Sequence, residues 1–126
     1  MEQAVGQFKR SLMRLFHALL YSLDGLKAAW QTEAAFRQEV LLLVAGSAMA
    51  LALPVSGFEK LMLIAVLVLV LIVELINSAL EAVVDRISLE RHPLSKNAKD
   101  FGSAAVLLAC ILAIAAWAVV LYNRFL

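Results

Sequence analysis

Three carboxylates and an amide, Glu74, Asn77, Glu81 and Asp85, stand on one stretch, Glu74-Leu-Ile-Asn77-Ser78-Ala-Leu-Glu81-Ala-Val-Val-Asp85, directly after thirteen apolar residues from Leu61 to Val73. At helical spacing, positions 74, 77, 78, 81 and 85 fall within an arc of roughly 100°, so the polar groups share one face. Leu75, Ile76, Leu80, Val83 and Val84 keep the other face apolar. Ionisable groups inside a membrane segment are costly, and they normally face a bundle interior or a site. This face therefore marks the centre of a functional site.

The chemistry such a set supports is phosphoryl transfer. Carboxylates are hard oxygen ligands suited to Mg²⁺, and Lys99 with the arginines nearby in sequence supplies cations for phosphate. A carboxylate sheltered from water is also suited to act as a general base toward an alcohol, and Glu74 lies deepest of the set. The competing reading has Glu74 and Asn77 hydrogen-bonding across a helix interface to fix an oligomer. Spacing alone leaves both open. The familiar nucleotide motifs are absent: there is no G-x-x-x-x-G-K-S/T loop. Asp100-Phe101-Gly102 spells a soluble-kinase tripeptide without the H-R-D loop that should precede it, a coincidence.

The elements that position these residues are helical and lipid-facing. In a chain of 126 residues, a hydrophobic content of 63% and a mean hydropathy of +0.89 point to a membrane protein. A net charge of +1 gives no basic field for nucleic acid. The lone Cys110, in an apolar run, reads as a small packing residue.

Residues 7–26 carry Phe8, Leu12, Leu15, Phe16, Leu19, Leu23 and Leu26 on one face and Arg10, Arg14 and His17 on the other. This pattern predicts an amphipathic helix lying on the membrane surface. His17, Ser22 and Asp24 interrupt the run that a secretory signal needs. Gly25 permits a break, after which Lys27 to Glu39 reads as a second helical piece with Glu33 and Arg37 at i, i+4. Three spans follow, at 34–53, 61–85 and 102–122, with the turn at Pro54 to Lys60 between the first two. The polar segment 86–100 separates the last two, with Ser95 as a helix N-cap. Trp117 and Tyr122 are placed as interfacial anchors. Nine of the eleven Lys and Arg residues lie in the N-terminal region and in 86–100, which the positive-inside rule assigns to the cytoplasm. The polar half of the second span is then on the cytoplasmic side. Three helices cannot easily enclose five polar groups, so a partner subunit is expected to complete the pocket.

Residues 74–85 closely resemble the signature of the prokaryotic diacylglycerol kinases, small integral-membrane lipid kinases. Two further blocks agree, Ala-Ala-Trp-Gln-Thr-Glu-Ala-Ala-Phe-Arg-Gln-Glu at 28–39 and Ala-Lys-Asp-Phe-Gly-Ser-Ala-Ala-Val at 98–106. The resemblance implies an all-α homotrimer in the bacterial inner membrane, with active sites shared between subunits on the cytoplasmic side. It implies transfer of the ATP γ-phosphate to the primary hydroxyl of diacylglycerol, giving phosphatidate, with Mg²⁺ as cofactor. By the same resemblance Glu74 is the catalytic base and Glu33 and Glu81 are the metal ligands, which reverses the reading of Glu33 as a surface partner of Arg37. The resemblance assigns ATP contacts to Arg14, Tyr21, Glu33, Asn77, Glu81, Asp85, Glu90, His92, Lys99 and Asp100. It assigns the lipid to Arg14, Trp30, Phe36, Arg37, Gln38, Glu39, Glu74 and Ser103. His17, Asp24, Lys96 and Asn97 depart from the family pattern.

A relative that phosphorylates undecaprenol shares the central signature and is the nearest alternative. An ion or proton carrier fits less well, because Leu61 to Val73 offers no polar path across the span. A purely structural oligomer is the remaining possibility.

Overall fold

Four helices in succession account for nearly all of the chain. The computed structural model describes residues 1–126, in the order α1 (Glu2–Thr32), α2 (Ala34–Ala52), α3 (Gly57–Ile87) and α4 (Pro93–Phe125). Two units separate at the first helix junction, residues 1–33 and 34–126.

The first unit is α1. It runs unbroken through Gly25, where the sequence suggested an interruption. A glycine inside a helix costs only about 1 kcal/mol relative to alanine, and the surrounding leucines and alanines sustain the helix. The break comes at Glu33, whose backbone is extended (φ −108°, ψ 108°). Its N–H still donates to the Ala29 carbonyl at 2.9 Å. The expected piece from Lys27 to Glu39 is thus divided between α1 and α2, and Glu33 and Arg37 do not share a helical turn. Phe8, Leu12, Leu15, Phe16, Leu19, Leu23 and Leu26 are all exposed.

In the second unit, α3 packs on both α2 and α4. Its start is fixed by a capping box: Ser56 Oγ accepts from the Glu59 N–H at 3.1 Å, and Glu59 Oε2 accepts from the Ser56 N–H at 2.8 Å. This S-x-x-E signature places the helix start at Gly57, ahead of the apolar run. At α4 the N-cap is His92, whose Nδ1 accepts from the Leu94 N–H at 3.1 Å, rather than Ser95. Pro93 explains the difference: it lacks an N–H and has φ preset for the first helical position.

Two buried clusters hold the bundle. Val66 and Val70 of α3 meet Ala109 and Ala113 of α4, with Cys110 and Trp117 alongside. Ala50, Leu63 and Val120 form the second, joining all three helices. The alanines let α4 approach closely. Trp117 Nε1 donates to the Leu63 carbonyl at 3.2 Å. At the same end, Lys60 Nζ donates to the Leu51 carbonyl and Arg124 Nε to the Pro54 carbonyl, both at 2.8 Å. Much apolar surface stays outside: Leu41, Leu42, Leu61, Ile72, Leu107, Leu108 and Ile114 are exposed. A water-soluble bundle would bury these residues. Helices α2, α3 and α4, of 19, 31 and 33 residues, are long and apolar enough to cross a membrane.

Replacing Trp117 with phenylalanine removes the donor to Leu63 together with the pyrrole half of an indole that packs on both clusters. Stability should fall by more than the roughly 1 kcal/mol of one such hydrogen bond, because packing is lost with it. Denaturant unfolding in micelles measures the loss.

Candidate functional site

The polar face of α3 runs from sealed to open. Glu74 and Asn77 are the only buried polar residues of the chain, 7% and 8% exposed. One turn further, Ser78 and Glu81 are half-buried, and Asp85 is exposed. The gradient runs along the helix pair: the middle of α3 packs on α4 in a buried cluster, whereas its last turns lie beside the first, polar turns of α4.

The first turns of α4 lie across this face. Lys99 Nζ pairs with Asp85 Oδ1 at 2.7 Å, and the Glu81 charge acts on the same ammonium. Lys96 pairs with Asp100 one helical turn apart. Gly102 is buried against Asn77. From the other side, Glu39 of α2 comes near enough to Glu74 for their charges to act on one another, and Cys110 of α4 lies in the field of both. Glu39 is itself half-buried. Two acceptors, Glu39 Oε2 and Asn77 Oδ1, are buried without a hydrogen-bond partner. Such groups cost about 1–3 kcal/mol each, so a fold that keeps them does so for a reason other than stability.

Beyond Asp85, the turn between α3 and α4 shapes an open cleft of about 730 Å³. Asp85, Glu90, Arg91, His92, Lys96 and Lys99 line it. Four of the expected nucleotide contacts, Asp85, Glu90, His92 and Lys99, therefore meet in one place. Asp100 is turned to Lys96 instead and does not line the cleft. The volume suits a small ligand and the charges suit a phosphate chain.

Among the remaining sequence-derived positions, Arg14, Tyr21 and Trp30 are exposed on α1, and Glu33 is half-buried at its end. Tyr21 stacks on His17, with ring centroids 6.4 Å apart. Phe36 is buried, Arg37 half-buried, and Gln38 and Ser103 exposed.

Residues 20–121 match the family described as prokaryotic diacylglycerol kinase. The chain belongs to that family. A relative from Pseudomonas aeruginosa named diacylglycerol kinase is 56% identical over 110 residues, covering 87% of this chain and 89% of the relative. The diacylglycerol kinase of Escherichia coli K12 is 49% identical over 112 residues, 89% and 92% of the two chains. That of Haemophilus influenzae is 44% identical over 112 residues, 88% and 94%.

For a kinase family the donor set is chemically suitable for Mg²⁺. No three His, Cys, Asp or Glu side chains converge to hold a metal by themselves. Mg²⁺ does not require that, since it keeps several waters and is held by one or two carboxylates together with substrate phosphates. Glu81 fits such a role, because its carboxylate is engaged in no hydrogen bond or ion pair.

Sequence reasoning placed Gly102 at the start of the third span and within the 98–106 block, with no role of its own. A signal was present, since glycine within a membrane helix commonly marks a close helix approach.

The Lys99–Asp85 pair is between side chains 42% and 48% exposed, and such pairs contribute only about 0–1 kcal/mol. Lys99→Met should therefore melt within a few degrees of the parent. It should weaken binding of an ATP analogue about tenfold or more, the scale of one charged hydrogen bond. Calorimetry of binding and of melting on the same sample separates the two effects.

Proposed function

We propose that the protein is a membrane diacylglycerol kinase, which transfers the γ-phosphate of ATP to the primary hydroxyl of diacylglycerol and releases phosphatidate and ADP. Family membership supports the reaction, and the observation that carries the mechanism is the placement of Glu74. It is a sealed carboxylate at the apolar end of a face whose other end opens on a charged cleft. A lipid hydroxyl arrives from the apolar side and a nucleotide from the aqueous side. Between them lies one helical face.

In this reading Glu74 takes the proton of the lipid hydroxyl as its oxygen bonds to the γ-phosphorus, and the bond to the β–γ bridging oxygen breaks. Lys99 offsets charge on the phosphates, while Asp85 holds Lys99. Glu81, and by the family resemblance Glu33, would hold the Mg²⁺ that accompanies ATP, and when bound that ion would supply charge neutralisation at the phosphates. Arg14, Tyr21, Glu90, His92 and Asp100 complete the nucleotide contacts. Trp30, Phe36 to Glu39 and Ser103 serve the lipid. Residues 7–26 lie on the membrane surface. The unit of function is a homotrimer in the bacterial inner membrane, with sites shared between subunits and facing the cytoplasm. That arrangement would cover part of the exposed apolar surface.

Incubation of the purified protein with labelled ATP, Mg²⁺ and either lipid tests the substrate. Label in phosphatidate is expected; label only in undecaprenyl phosphate, or in neither, refutes it. Glu74→Gln should lower kcat about 10²-fold or more, the usual scale of general-base assistance, with ATP binding kept. Wild-type turnover in that variant would remove the base role. Glu81→Ala should weaken nucleotide binding, with excess Mg²⁺ restoring part of it. An apparent ATP affinity that is unchanged at every Mg²⁺ concentration would contradict the ligand role.

A further inference from the structure

Gly102 is the point at which α4 touches the amide of Asn77 with nothing between. A Cβ placed on Gly102 would stand 2.0 Å from Asn77 Oδ1 and 3.1 Å from Asn77 Cγ. With a Cα–Cβ bond of about 1.5 Å, the Gly102 Cα and Oδ1 lie within about 3.5 Å, the range of a Cα–H···O contact. Backbone conformation does not demand glycine here, since no glycine in the chain has positive φ. A glycine inside a helix costs about 1 kcal/mol relative to alanine, so its presence answers a need for space.

The contact splits the asparagine side chain. Oδ1 is sealed against α4 without an N–H or O–H partner, which leaves Nδ2 as the amide atom able to meet a ligand. Asn77 follows Glu74 by three positions, so their side chains are neighbours on the face. We infer that Gly102 is a positioning residue for the transfer reaction. By admitting the Asn77 oxygen it holds the amide in one orientation, with the two N–H donors presented beside Glu74 toward an oxygen of the reacting groups. The inference rests on the reading of the α3 face as the reaction site. A methyl at 102 forces the amide to turn, because the atom it meets is the far end of a side chain rather than backbone.

A double-mutant cycle tests this. Gly102→Ala should lower kcat about tenfold, with the KM for ATP within about twofold of the parent. In an Asn77→Ala background the same change should leave kcat where Asn77→Ala put it, because the oxygen it would displace is gone. Gly46→Ala is the packing control: a Cβ there meets Leu67 Cδ1 at 2.5 Å and Trp117 Cζ2 at 3.5 Å, away from the polar face. It should shift melting and leave kcat unchanged. Equal losses from Gly102→Ala in both backgrounds, or none in the parent, would overturn the inference. Wild-type turnover in Asn77→Ala would overturn it together with the role of Asn77. Melting in micelles reads the same contact if Gly102→Ala folds poorly, since the double variant should then melt like Asn77→Ala alone. A double variant as unstable as Gly102→Ala would place the clash elsewhere.

Discussion

Everything in the second unit depends on keeping a carboxylate and an amide out of water in the middle of an apolar helix. Glu74 and Asn77 are each less than one-tenth exposed, and the acceptor oxygen of Asn77 has no partner. Polar groups so placed destabilise a fold unless something compensates. Compensation comes from the clusters on either side, where Val66, Val70, Ala109 and Ala113 lock α3 to α4, and Ala50, Leu63 and Val120 bring in α2. The packing holds the site closed at a cost, a pattern found where chemistry sets the requirement.

The two ends of α3 divide the labour. At its start, a capping box and the donors of Lys60, Arg124 and Trp117 saturate backbone carbonyls and fix the helices to one another. At its end, Asp85 and the turn to α4 leave charges exposed around a cleft. In the proposed reaction, a rigid end and an open end on one helix would give a fixed frame against which a lipid hydroxyl and a phosphate chain are aligned. Alignment of that kind supplies much of the rate in phosphoryl transfer.

Much of this was legible in the sequence. The thirteen-residue run before Glu74 and the polar arc after it announce a membrane helix with a site on one face, because helical periodicity and the cost of buried charge are local rules. Element boundaries were less legible. Gly25 suggested a break that the helix does not make, whereas Glu33 ends α1 with nothing in its type to announce it. Ser95 looked like a cap until Pro93 fixed the turn and gave the cap to His92. The role of Gly102 depends on what another helix places opposite it, which no single segment encodes. Glu33 shows the same limit: spacing made it a partner for Arg37, and only the resemblance of whole blocks to a family gave it a different role.

The central claim is that one face of α3 carries the chemistry. A turnover scan with alanine placed at each non-alanine position from 74 to 85 tests it directly, with labelled ATP and diacylglycerol in micelles. The account predicts losses that follow the helical period: large at Glu74, Asn77, Glu81 and Asp85, and small at Leu75, Ile76, Leu80 and Val83. Losses spread evenly around the helix, or concentrated on the apolar side, would contradict it.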